Sequence, residues 1–145
     1  MALTRRPAVA AATLLVVPAF ALAGSPPVVQ AQDDLIGFTS PSGNIGCIMD
    51  ASQVRCDIAQ REWAPPPPPP DCPLDYGQGI VLDAGGPAQW VCAGDTALAG
   101  GPPLPFGESA GMGDLRCDST PTGMTCRDVI TGHGFSIARQ GNQMF

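Results

Sequence analysis

Lysine is absent from the 145-residue chain, histidine occurs once, at His133, and aromatic side chains make up only 6% of the sequence. Arginine is therefore the sole strong cation. All thirteen acids lie beyond residue 31 but only five of the seven arginines do, so that part of the chain carries a formal charge of −8. A surface this acidic repels phosphate backbones and anionic bilayers, which excludes nucleic-acid binding through a basic face. The acids show no calcium-loop spacing, and no C-x-x-C pair offers a zinc site. Neither a metal nor a cofactor is expected. Phe38, Trp63, Tyr76, Trp90, Phe106, Phe135 and Phe145 are too scattered to read as a sugar-stacking face, and most are assigned to a core.

What the chain has in abundance is proline, 17 residues, and glycine, 18 residues, both of which interrupt helix interiors. Its start is different. Arg5 and Arg6 precede "PAVAAATLLVVPAFALA", an apolar stretch broken by Pro18 and shorter than the ~20 residues that cross a bilayer. It reads as a secretory signal peptide over residues 1–31, cut after Ala31, with a cut after Ala23 as the alternative. Residues 32–37 then form a short flexible N-terminus and residues 38–145 the folded domain, secreted or held at the cell envelope with no membrane span of its own.

The exported part holds six cysteines, and an even count in an oxidising compartment favours disulfides. "CIMDASQVRC" and "CDSTPTGMTC" each separate two cysteines by nine positions. Both read as hairpins with turn-like centres, and a tip of two or four residues sets Cys47 opposite Cys56 and Cys117 opposite Cys126. Cys72 is left for Cys92. A shift of seventy residues lays Gly37, Gly43, Ile45, Cys47 and Cys56 on Gly107, Gly113, Leu115, Cys117 and Cys126. A shift of fifty-five lays Gly77, Gly79, Ile80, Leu82, Gly86 and Trp90 on Gly132, Gly134, Phe135, Ile137, Gly141 and Phe145. The pattern reads as an internal duplication, with "REWAPPPPPPDC" inserted in the first copy. The fold class expected is all-β: a small disulfide-stapled barrel or sandwich of about seven to eight short antiparallel strands, built from two repeated hairpin units.

Gly107-Glu108-Ser109-Ala110-Gly111 matches the G-x-S-x-G elbow of serine hydrolases, and Asp128 and His133 follow in the right order. The context opposes it: an elbow joins a parallel strand to a helix, whereas "MGDLRCDSTPTG" offers a strand, a cysteine and a turn. A small esterase using Ser109, Asp128 and His133 stands only as an alternative. Pro65 to Pro70 form a polyproline rod about 19 Å long at ~3.1 Å per residue. Beside Trp63 this rod is a candidate binding segment, although a stiff crossover is its plainer reading. A stapled proline loop also suits a protease inhibitor.

"FTSPSGNIGC", "VRCDI", "LPFG", "MTC" and "TGHGFSIAR" together resemble a family of small secreted actinobacterial proteins, common in mycobacteria and their relatives, that is known as a domain of unknown function. The likeness spans about Phe38 to Phe145. It implies export and a cysteine-bearing β domain, and it carries over no catalytic residue. The function expected is thus non-catalytic: binding of an unidentified protein or envelope component, with the loops Trp63 to Cys72 and Gly94 to Gly107 exposed. Denatured without reductant, the secreted chain should show no titratable thiol, and peptide mapping should recover the three bonds named. A free thiol, or a bond between the first hairpin and the last, contradicts the pairing.

Overall fold

The structure is a computed structural model that describes residues 34–145; the signal-peptide segment and both cut sites lie outside them. Ten strands occur and no helix among the described residues. The first sheet is a meander of β1 (Ile36–Thr39), β2 (Ile45–Met49), β3 (Gln53–Ile58), β4 (Tyr76–Asp83) and β5 (Ala88–Cys92). The second is a meander of β6 (Ser109–Met112), β7 (Leu115–Thr120), β8 (Gly123–Asp128), β9 (Gly134–Ile137) and β10 (Asn142–Met144). Ten strands correct the expected seven or eight, and no closed barrel forms. The strands without a clear sequence signal include β6 "SAGM" and β10 "NQM", short edge strands too polar or too glycine-rich to alternate visibly. β1 begins at Ile36, inside the stretch read as a flexible N-terminus.

Alternation puts Ile45, Cys47 and Met49 of β2 and Val54, Cys56 and Ile58 of β3 on one face, and these join Leu115, Cys117, Met124, Cys126, Phe135 and Ile137 in a single buried cluster. Cys47 pairs directly with Cys56, and Cys117 with Cys126. Their Cα atoms are 4.1 and 4.0 Å apart, and both pairs are disulfide-bonded. The two tips differ in length. Asp50 to Gln53 separate Met49 from Val54, with Asp50 Oδ1 accepting the N–H groups of Ser52 (2.7 Å) and Gln53 (2.9 Å), whereas Pro121 and Thr122 alone separate Thr120 from Gly123. Both lengths are even, so both keep the cysteines opposed. The Sγ atoms of Cys56 and Cys126 lie 3.7 Å apart, which brings the two bonds together across the interior.

The meanders share one pairing scheme. Cys56 faces Ile80 and Val54 faces Leu82, as Cys126 faces Phe135 and Met124 faces Ile137. At the sheet edges the alignment of the sequence slips: Phe38 and Ala110 face the first cysteines of the hairpins, and Ile80 and Phe135 face Trp90 and Met144, so Met144 rather than Phe145 stands where Trp90 does.

Two segments close what the strands leave open. The link from β5 to β6, residues 93–108, crosses the outer face of the first sheet, where Gly46, Asp57 and Gly79 form a cross-strand row. A Cβ at Gly46 would stand 2.5 Å from Leu98 Cα, so the strap lies flat only over bare backbone. Beneath it Arg55 is bonded to Asp57 (2.7 Å) and Asp95 (2.7 Å), and the Ala97 N–H donates to Asp57 Oδ2 at 3.0 Å. Further on, the Thr39 N–H donates to the Pro102 carbonyl (3.0 Å) and the Leu104 N–H to Thr39 (2.8 Å), which covers the β1 edge. The segment between β3 and β4, which carries Trp63, closes the opposite seam. Trp63 packs on Trp90 with centroids 5.7 Å apart and the rings tilted by 49°, and its Nε1–H donates to the Ala138 carbonyl beyond β9 at 2.8 Å. A Trp63→Ala variant should therefore lose about 3 kcal/mol and Trp63→Phe about 1 kcal/mol, read from urea unfolding with the disulfides intact. Equal midpoints for all three proteins would remove the plug role.

Candidate functional site

Ala110 of β6 faces Cys117 and packs on the core, so Ser109 points outward, where its hydroxyl donates to Asp118 Oδ1 at 2.5 Å. Asp128 is in phase with Met124 and Cys126 and is buried at the far end of β8, opposite Leu115. Its Oδ2 accepts the Gly85 N–H (2.7 Å), and its Oδ1 accepts those of Ile130 (2.8 Å) and Thr131 (3.1 Å). His133 is exposed on the following turn. The structure does not bring these three residues together: Ser109 and Asp128 belong to opposite faces of the sheet. Asp128 instead joins the β8–β9 turn to the β4–β5 turn, which is a tie between the sheets that spacing alone could not indicate.

Trp63, Pro65 and Pro70 occupy three different settings. The Trp63 ring is taken up by Trp90 and by Arg61, whose guanidinium sits 5.0 Å from the ring centroid. Pro65 packs over Gly77, a position with φ +79° that has no side chain to obstruct it. Pro70 and its neighbours from Pro66 are exposed. The Cys72–Cys92 disulfide holds the far end of this run to β5. A cleft of about 450 Å³ lies behind it, bordered by Pro69, Tyr76, Trp90 and Met144.

A second concavity is at one end of the sandwich. A cleft of about 460 Å³ opens between the β1–β2 turn, the end of β3, the β7–β8 tip and the chain beyond β9. Hydroxyls face each other in pairs there: Ser40 with Ser42 at 3.3 Å and Thr120 with Thr122 at 3.1 Å. Asn44 is committed to the wall, donating to the Gln60 carbonyl (2.9 Å) and accepting its N–H (2.7 Å). Arg139 and Gln140 supply donors, and Phe106, 55% exposed, supplies an apolar surface. Of the seven aromatics, Phe38 and Phe135 are buried and Trp63 and Trp90 pack on the core, whereas Phe106 and Phe145 are exposed. The lining contains no carboxylate, imidazole or thiol, so its chemistry is hydrogen bonding, apolar contact and the charge of Arg139, whose Nε lies 3.3 Å from Glu62 Oε1. The sulfurs of Cys56, Cys117 and Cys126 lie within 4.8 Å of one another, but disulfide sulfurs offer no thiolate to a metal.

A family model described as a family of unknown function, DUF6636, matches residues 12–145, and the chain belongs to that family. The match starts well before Phe38, within the segment read as a signal peptide. Neither a curated protein nor a solved structure matches the chain. Among the described residues no helix is long and apolar enough to cross a membrane.

Three N–H donors, that of Gly85 foremost, hold the Asp128 carboxyl below its ordinary range. A depressed carboxyl stabilises the fold above its unfolded-state pKa, and that stability disappears as pH falls through the folded-state value. Asp128→Asn should therefore lower stability at neutral pH and flatten its decline between about pH 4 and pH 2, as followed by thermal melts. Parallel acid profiles for the two proteins would contradict the assignment.

Proposed function

We propose that this chain is an exported, non-catalytic binding module that acts in an oxidising space outside the cytoplasm and takes its ligand in the end cleft. The observation that carries the reading is the lining of that cleft: paired hydroxyls, Gln140, Arg139 and the exposed Phe106, with no group able to serve as a general base. The three disulfides are consistent with an oxidising extracellular environment. The partner is an envelope component or an extracellular protein rather than a nucleic acid. We infer further that the shared pairing scheme of the two meanders reflects two copies of one hairpin unit.

One observation favours a second reading. The exposed Pro66–Pro70 run is held at one end by Pro65 on Gly77 and at the other by the Cys72–Cys92 bond, and a loop pinned in this way suits a protease inhibitor. Retention of a component from envelope extract on the immobilised domain distinguishes these possibilities. Wild type should retain a component that Phe106→Ala and Arg139→Gln release, and no protease in a secreted panel should slow. Retention unchanged by both substitutions would sink the cleft reading. Hydrolysis of short acyl esters that vanishes in Ser109→Ala would sink the non-catalytic one.

A further inference from the structure

The two sheets treat their outer faces differently. On the first, the strap covers the charges, and the side chains of Arg55 and Asp57 are 9% and 1% exposed. No described segment crosses the second. There Ser109, Asp118, Thr125, Ser136 and Gln143 stand directly opposite one another, one from each strand from β6 to β10, in an unbroken polar row. At the usual strand spacing the row is about 19 Å long. Its internal bonds run from Ser109 to Asp118 (2.5 Å) and between Thr125 and Ser136 (3.1 Å).

The neighbouring row carries the charge. Arg116 and Arg127 pair directly across β7 and β8, and like charges so placed repel. Both turn to one carboxylate: Arg116 Nε lies 3.3 Å from Asp118 Oδ1, and Arg127 Nη1 lies 3.1 Å from Asp118 Oδ2. Two cations therefore share one anion, with the arginine side chains 52% and 43% exposed and most of their N–H groups free of protein partners. Next in the row, Arg127 faces Gly134, and a Cβ there would stand 2.7 Å from Phe145 Cε2. The bare glycine lets the Phe145 ring lie on the sheet beside Arg127, and the ring is 46% exposed. Glu108 and Asp114 border β6 at the far side, so the favourable potential runs from Arg116 toward Phe145. Salt confines the repulsion of the distant acids to about 10 Å at 0.1 M ionic strength.

We propose that this outer face is a second binding site, separate from the end cleft, for an acidic polysaccharide. One sugar ring rests on Phe145, its carboxylate accepts the N–H groups of Arg127 and Arg116 that Asp118 leaves free, and the hydroxyls of adjoining sugars exchange hydrogen bonds with the Thr125, Ser136 and Gln143 row. A guanidinium pair binds a planar carboxylate through parallel N–H donors, a hydroxyl and amide row suits a polyol, and an exposed ring beside them favours a sugar over a bare anion. An extended chain also fits a flat face better than a compact ligand does.

Calorimetric titration of the purified exported domain with oligogalacturonate, a neutral dextran oligomer and oligoglutamate tests the assignment. The wild-type domain should bind oligogalacturonate, with no detectable heat from dextran and at least fivefold weaker binding of oligoglutamate. Arg127→Gln and Phe145→Ala should each weaken oligogalacturonate binding at least tenfold, while Arg139→Gln, in the end cleft, leaves it unchanged. All three substitutions are at exposed side chains, and matching melting curves confirm the fold. Absence of oligogalacturonate binding, equal affinity in the Arg127 and Phe145 variants, or oligoglutamate binding as tight as the sugar would each overturn the proposal. Loss of binding in Arg139→Gln alone would return the ligand to the end cleft.

Discussion

Two disulfides lie inside the one buried cluster, among Phe135, Met49, Ile80 and Leu82, and the contact of Cys56 with Cys126 joins the two sheets across the interior. Each bond closes a hairpin whose cysteines are nine positions apart, a constraint worth on the order of 2–3 kcal/mol in the chain-entropy picture. The gain is also geometric. A cross-strand bond pins the register of its hairpin, and register determines which side chains enter the core. Ile45, Val54, Leu115 and Met124 are buried because Cys47, Cys56, Cys117 and Cys126 are opposed.

With register held covalently, the remaining vulnerabilities of an open sandwich are its edges and faces. The strap answers one by occupying the edge of β1 and burying the Arg55–Asp57 pair under backbone that only glycines admit. Trp63 answers another at the seam beside β5 and β10, where its ring meets Trp90 and its indole N–H reaches the Ala138 carbonyl. The second sheet has neither covering. Its polar outer face therefore stays open to solvent, as does the end cleft, and the family the chain belongs to is described as one of unknown function.

Much of this was legible in residues whose partners are near in sequence. Alternation around the cysteines indicated strands, the even tips indicated opposition, and elimination paired Cys72 with Cys92. Residue types read without strand direction say less. Ser109, Asp128 and His133 have the residue types of a triad, yet one strand phase sends Ser109 outward and another sends Asp128 inward. Nothing local marks Phe145 as a surface residue, yet the bare backbone of Gly134 lets its ring lie on the outer face. The short strands β6 and β10 leave little mark in the sequence because an edge strand has one pairing partner and little burial to impose a pattern.

By itself the sequence determined the β class, the hairpins and the chemistry of their cross-links, since these depend on contacts within about ten residues. Tertiary structure decided which glycines would carry the strap, where Trp63 would lodge and that two arginines would share Asp118 on an open face. Those outcomes depend on how two sheets stack and on the route of the chain between them. Local pattern cannot encode that, because the partners are brought together only when the core closes.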